Sequence, residues 1–124
     1  MEYCDHIDRQ VIKAVVNATL DYDPNFKISL FDGEETSVEA TRNIKAIYDE
    51  ATATGEDWYN IQGSEGQHVG SFYLIYCNRA QNDDPIVTIS DYAWGSENAE
   101  ANRKIMDSIY ADVERRVDEA LAVS

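Results

Sequence analysis

The residues of this chain that could ligate a metal ion or act as nucleophiles are few and scattered. Cys4 and His6 lie near the start of the sequence, and His68 and Cys77 follow much later. Structural zinc sites pair their ligands at short spacings of about two to four residues, and these four residues do not form such a set. Cys77 belongs to an apolar run, where a thiol is inert rather than activated. We therefore expect no metal and no cofactor, free thiols, and a solvated His68.

The segment that begins at Asp21 has the residue spacing with which a calcium-binding loop begins. Asp21, Asp23 and Asn25 alternate as the first ligands of such a loop do, but Phe26 occupies the position of the sharp-turn glycine. Asp32 stands where a bidentate glutamate is required. The segment is instead predicted to be a turn between a helix and a strand. Carboxylates are so abundant that no particular acid–base pair stands out, and we expect a protein that is not an enzyme.

The unusual feature of the composition is its acidity. The sequence has 24 Asp and Glu against 10 Lys and Arg, a formal net charge of −14. Phosphate affinity comes from Lys and Arg that displace counterions, so direct binding to nucleic acid is disfavoured. An acidic surface favours basic grooves of other proteins, including grooves that normally hold nucleic acid. The alternative is that the acidity serves solubility alone.

The acidic residues are unevenly distributed along the chain. Residues 46–78 and residues 80–102 contain no Lys or Arg, and aromatic residues lie among their acids. Aromatic side chains within an acidic surface can anchor an interface, although Trp58 and Tyr76 are expected in the core and Tyr59 is open to either interpretation. The predicted partner-binding residues are Asp49, Glu50, Glu56, Asp57, Asp83, Asp84, Asp91, Tyr92, Trp94, Glu97 and Glu100.

Three helices are predicted from apolar residues at three- and four-residue spacings. The first ends before Pro24, the second ends at Gly55, and the third extends over roughly 25 residues of the C-terminal segment. Their expected N-terminal caps are Asp5, the capping box of Thr36 and Glu39, and Ser96.

Four strands are predicted, at residues 26–31, 58–61, 71–78 and 86–92. Residues 71–78 are apolar on both alternating faces, which is typical of a strand in the middle of a sheet or between two layers of helices. Short turns favour antiparallel pairing. The prediction is one α+β domain over residues 1–124, in the order α-β-α-β-β-β-α, with three helices packed on a mainly antiparallel four-stranded sheet.

The sequence also bears on location. No apolar run approaches the ~20 residues needed to cross a bilayer, and the N-terminal residues do not resemble a signal peptide. The expected compartment is the cytoplasm of a bacterial host cell.

Two neighbouring segments resemble a pattern in small proteins of phages and plasmids. These are Gly-Ser-Phe-Tyr-Leu-Ile-Tyr-Cys-Asn at residues 70–78 and Ile-Ser-Asp-Tyr at residues 89–92, with Cys77 where that pattern has glycine. Small acidic phage proteins include anti-CRISPR and anti-restriction inhibitors. The resemblance implies that class of inhibitors. Together with the acidity, it makes the leading interpretation an anti-CRISPR protein whose acidic surface occupies a basic DNA- or RNA-binding groove of a CRISPR–Cas effector. The alternatives are an immunity protein that neutralises a basic nuclease toxin and an acidic housekeeping adaptor.

Overall fold

The computed structural model describes residues 2–51, 56–76 and 89–122 of the chain. These residues form an α+β fold of three helices and one five-stranded antiparallel sheet with the strand order β2-β1-β3-β4-β5. In chain order the elements are α1 (Glu2–Tyr22), β1 (Lys27–Phe31), β2 (Thr36–Thr41), α2 (Ile44–Glu50), β3 (Glu56–Gln62), β4 (His68–Ile75), β5 (Ile89–Trp94) and α3 (Ala99–Ala122). The predicted class is confirmed, and the sheet has one strand more than predicted.

The additional strand is β2, which lies where the second helix was expected to begin. Thr36, Val38 and Thr41 are β-branched, and such residues favour strands over helices. Helix α2 begins only after Asn43, whose side chain accepts hydrogen bonds from the backbone N–H groups of Lys45 and Ala46. The predicted capping box was therefore wrong, because the sequence pattern was satisfied in a segment that pairs with β1 instead.

The starts of the two long helices also differ from the prediction. Helix α1 begins at Glu2, so Asp5 lies inside it rather than at its N-cap. Helix α3 begins at Ala99, three residues after the predicted cap Ser96. In each case the apolar periodicity located the helix correctly, whereas the boundary depends on local hydrogen bonds that periodicity does not report.

Helices α1 and α3 pack against each other, and their buried side chains join those of the sheet in one core. Helix α3 packs closely on β4 at Gly70, where an added Cβ atom would collide with the sulfur of Met106. The absence of a side chain at Gly70 is what allows this approach. We call the face of the sheet that packs on the helices the covered face and the opposite side the open face.

Strand β4 is an interior strand, but β3 occupies the centre of the sheet. On β4 the side chains of Phe72 and Leu74 are buried on the covered face, and Tyr76 continues their alternation, whereas Ser71, Tyr73 and Ile75 are only half-buried. Of the two arrangements expected for this segment, the position inside the sheet is observed, whereas helices cover only one of its faces. Its apolar residues on the second face lie on the open side of the sheet.

The turn between α1 and β1 is a hydrogen-bonded helix-to-strand connection, as predicted. The backbone N–H of Asn25 donates to the Asp23 carboxylate at 2.8 Å. Arg42 donates to the backbone carbonyls of Leu20, Asp23 and Phe26, and so satisfies acceptors at the end of α1. Within the described residues, no three His, Cys, Asp or Glu side chains are grouped as metal ligands.

The exterior of α3 carries the mixed charges expected of a solvated helix face. Arg115 pairs with Asp112 and Glu119, and Arg116 pairs with Asp112 and with Asp21 of α1. Burial opposes ionisation of Asp112, but hydrogen bonds from the two arginines leave its pKa below the ordinary value. In the described part of the chain, no helix is both long enough and apolar enough to cross a membrane.

Candidate functional site

The open face of the sheet presents its side chains in rows that cross the strands. The strand registers place Phe31 of β1 opposite Trp58 of β3, Trp58 opposite Tyr73 of β4, and Tyr73 opposite Asp91 of β5. Side chains of directly paired residues lie on the same face and touch. We call these four residues the aromatic row. It consists of three aromatic side chains on neighbouring strands, followed by the carboxylate of Asp91 on the next strand.

The rings of the aromatic row contact one another directly. Trp58 and Tyr73 are stacked, with ring centroids 4.4 Å apart and planes inclined by 15°. Phe31 meets Trp58 at 5.8 Å with a tilted geometry. The turn after β1 approaches the same ring, because a Cβ atom at Gly33 would lie 3.3 Å from Trp58. All three rings remain partly exposed, so the row offers apolar surface to solvent.

A second row of small and polar side chains lies beside the aromatic row. It consists of Ser29, Asn60, Ser71 and Ala93, again in directly paired positions. The Ser71 hydroxyl donates to the Asn60 side-chain oxygen at 2.6 Å. Because these side chains are shorter than the neighbouring rings, the surface falls away next to Trp58 and Tyr73.

This difference in height produces a shallow cavity of about 120 Å³. Its lining combines the rings of Trp58 and Tyr73 with Ser71, Asp91, Tyr92 and Ala93. Asp91 is exposed, and one of its carboxylate oxygens accepts a hydrogen bond from the backbone N–H of Tyr92 at 2.8 Å. The cavity is therefore lined both by aromatic side chains and by the carboxylate of Asp91.

Further carboxylates surround the aromatic row. The Tyr73 hydroxyl donates a short hydrogen bond to Glu56, which begins β3. The turn that follows Phe31 contains Asp32, Glu34 and Glu35. Backbone N–H groups of Glu35 and Glu34 donate to the Asp32 carboxylate and hold its pKa below the ordinary value. The aromatic surface consequently lies in a negatively charged neighbourhood.

The covered face holds a different arrangement of the same residue types. Asp57 is only 1% exposed, and it accepts a hydrogen bond from the Tyr76 hydroxyl at 2.5 Å. The hydroxyl of buried Tyr59 lies 2.9 Å from that of Tyr76. Because the single proton of Tyr76 goes to Asp57, Tyr59 is the donor to Tyr76. Burial raises the pKa of Tyr76 and of Tyr59 far above the ordinary tyrosine value.

Two residues considered for the partner surface are therefore internal. Asp57 was predicted to bind a partner, and Tyr59 was one of the aromatics that could have joined it, but neither side chain reaches the surface. The alternation of β3 explains this outcome, since Asp57, Tyr59 and Ile61 share the covered face. A charged residue inside a strand is expected to face solvent, and here hydrogen bonds compensate its burial.

Tyr92 and Trp94 lie on the side of β5 that faces α3. The ring of Tyr92 stacks on Tyr110 at 4.9 Å, and its hydroxyl donates to Asp107. This hydrogen bond and burial raise the pKa of Tyr92 to about 12. Trp94 is 41% exposed, and the Arg103 guanidinium lies 5.9 Å above its ring. Tyr92 is thus largely engaged in packing, whereas Trp94 remains accessible.

The other predicted acids that the structure describes do not gather at one place. Glu56 pairs with Ile75 at one end of the sheet, whereas Trp94, which precedes Glu97 and Glu100, pairs with Gly70. Gly70 is five residues from Ile75 along β4, or about 17 Å. Asp49 and Glu50 are exposed on α2, where Asp49 pairs with Lys45 at 3.0 Å. Asp83 and Asp84 lie outside the described residues.

Sequence reasoning missed the aromatic row. Trp58 was expected in the core, because it is a large aromatic next to the strand formers Tyr59 and Ile61. The sequence did contain a signal that Trp58 is not in the core: it alternates with Asn60 and Gln62, which indicate the more polar face of β3. The partners of Trp58 in the row come from three other strands, and only the strand registers bring them together.

The protein-family models, the curated proteins and the solved structures were each compared with this chain, and none of them matches it. Only the geometry and the charge of the site therefore bear on what it could bind.

Proposed function

We propose that this protein is a non-enzymatic inhibitor whose acidic surface occupies a basic nucleic-acid-binding groove of another protein. The partner that best fits the proposal is a CRISPR–Cas effector, which would make the protein an anti-CRISPR protein of a mobile genetic element. The carboxylates would take the positions that phosphates need, and the long-range field would accelerate encounter with a positively charged groove.

The observation that supports the proposal is the excess of exposed carboxylates over bases available to neutralise them. Several bases of the described chain are engaged within the molecule: Arg42 binds backbone carbonyls, and Lys45, Arg103, Arg115 and Arg116 bind Asp or Glu. Within the same residues, the exposed carboxylates that form no ion pair are Glu34, Glu35, Glu39, Glu50, Glu65, Asp91, Glu97, Glu100, Glu114 and Asp118.

The first experiment compares capture of host proteins by two forms of the protein. One is the wild type and the other replaces Glu34, Glu35, Glu97 and Glu100 with glutamine. We expect the wild type alone to retain a nucleic-acid-binding partner strongly, and retention to weaken as salt rises. Replacing both Asp83 and Asp84 with lysine extends the same test to residues outside the described part of the chain.

The second experiment uses the purified partner with labelled DNA or RNA bound to it. Stoichiometric release of the nucleic acid by the wild-type protein supports the proposal. A complex in which protein and nucleic acid are bound together contradicts it, as does equal capture by wild type and the glutamine variant. If the partner is a nuclease toxin whose active site becomes blocked, the immunity function replaces the anti-CRISPR function.

A further inference from the structure

The cavity beside the aromatic row has the chemistry of a binding site for a cationic side chain. Its lining includes the two stacked aromatic residues Trp58 and Tyr73 and the exposed Asp91. Aromatic rings attract cations through their quadrupole, and a carboxylate attracts them through its charge. Few other side chains satisfy both groups at once.

From this geometry we infer that the open face is the docking surface for the basic partner, with a partner arginine seated between the rings of Trp58 and Tyr73 and the Asp91 carboxylate. This inference rests on the proposed function for the sign of the partner's charge, and adds the location of the contact and the side chain that makes it. The planar guanidinium can stack on a ring while it donates a pair of hydrogen bonds to a carboxylate, which the ammonium of lysine cannot do.

The size of the cavity fits this occupant. The cavity of about 120 Å³ is shallow and open, and it has room for a small planar group such as a guanidinium. The short side chains of Asn60, Ser71 and Ala93, which are at least partly exposed, leave room for the aliphatic part of the arginine to lie across the sheet.

The charge around the row selects a basic protein over a second copy of this chain. Glu56, Glu34 and Glu35 lie around the same rings as Asp91, and each molecule has a formal net charge of −14. Two such faces would repel each other, whereas a basic surface would be attracted. None of the three helices of the described chain packs on the open face, and the rings of Phe31, Trp58 and Tyr73 are partly exposed.

The test uses a capped hexa-arginine peptide as the probe and a capped hexa-lysine peptide for comparison. NMR titration of the isotope-labelled protein with hexa-arginine should shift the indole N–H of Trp58 and the amides of Tyr73 and Asp91. The indole N–H of Trp94, which already lies under Arg103, serves as the internal control. We expect hexa-lysine to bind more weakly than hexa-arginine.

Variants assign the effect to individual side chains. Trp58→Ala should weaken hexa-arginine binding by about five-fold, the scale of one cation–π contact. Asp91→Asn should weaken it by about three-fold, and because Asp91 is exposed this variant should fold normally. The matched controls are Tyr22→Ala and Glu119→Gln, an exposed aromatic at the end of α1 and an exposed acid of α3, which should bind as the wild type does.

The results of these experiments distinguish a failure of the docking surface from a failure of the proposed function. The inference is overturned if the shifts cluster outside the open face, if Trp58→Ala and Asp91→Asn both bind as the wild type does, or if this face instead mediates dimerisation in sedimentation experiments. If these variants bind normally while the purified partner still loses its nucleic acid, the proposed function stands and the docking surface lies elsewhere. If the variants weaken peptide binding but no partner releases nucleic acid, the site stands and the proposed function fails.

Discussion

Each face of the sheet contains a tyrosine whose hydroxyl donates a hydrogen bond to a carboxylate. On the covered face Tyr76 donates to Asp57, and on the open face Tyr73 donates to Glu56. The two acids are consecutive in β3, and the registers place them at the same end of the strand pair formed with β4. The two pairs therefore differ mainly in their surroundings.

Burial gives the two pairs different consequences. Asp57 and Tyr76 are almost inaccessible, so loss of either partner leaves a polar group without water to replace the bond. Glu56 and Tyr73 are only half-buried, and water can compensate a lost bond there. The comparison teaches that the same chemical pair is part of the core on one face and lies at a partly solvated surface on the other.

The largest effect is expected from removal of the buried ring. Tyr76→Ala should lower the free energy of unfolding by roughly 3–5 kcal/mol, because it deletes a large core aromatic and removes a donor to Asp57. Tyr73→Ala is the matched variant on the open face and should cost clearly less. Urea denaturation measures both. A loss below about 1 kcal/mol for Tyr76→Ala would contradict its place in the core.

Removal of the hydroxyl alone isolates the hydrogen bonds. Tyr76→Phe should cost about 1–3 kcal/mol, because Tyr59 and Asp57 both bind that oxygen in a buried site. Tyr73→Phe should cost less than about 1 kcal/mol, since its partner Glu56 is partly solvated. Chemical denaturation at neutral pH is again the measurement. Equal losses would show that the two faces do not differ as burial indicates.

The buried tyrosines also predict an alkaline dependence of stability. The folded-state pKa values of Tyr59 and Tyr76 lie above the ordinary value of 10.0, because burial favours the neutral form. Their contribution is complete below pH 10.0 and is lost as the pH rises above it, by at most about 1.4 kcal/mol per pH unit for each tyrosine. Unfolding measured over this range should show a steeper decline for the wild type than for Tyr76→Phe. Parallel curves would contradict the prediction.

The smallest effect is expected at the turn beside the open face. The pKa of Asp32 is lowered because backbone N–H groups of Glu35 and Glu34 donate to its ionised carboxylate. Its contribution is therefore present above the ordinary value of 3.8 and is lost as the pH falls through the lower, folded-state value. Asp32→Ala should reduce the melting temperature slightly at about pH 6 and not at about pH 2. An equal reduction at both values would assign the effect to packing of the turn.

The sequence by itself determined the α+β class, the three helices and the strands that became β1, β3, β4 and β5. Periodicity carries this information, because a helix or strand that buries one face must repeat apolar residues at its own spacing. The same argument wrongly assigned the start of β2 to a helix, since Thr36 and Glu39 match a helix-capping pattern. In the structure this segment is a strand that pairs with β1. The predicted start of helix α2 was wrong for a related reason. Its true start depends on the hydrogen bonds that the Asn43 side chain accepts, and periodicity does not report these bonds.

Tertiary structure alone decided which acids and aromatics are available at the surface. Asp57 and Glu56 are adjacent and chemically similar, yet the alternation of β3 buries the first and partly exposes the second. The aromatic row joins Phe31, Trp58 and Tyr73 from three strands to Asp91 from a fourth. No local pattern encodes that row, because cross-strand neighbours depend on strand order and register, which arise only when the whole sheet packs on its helices.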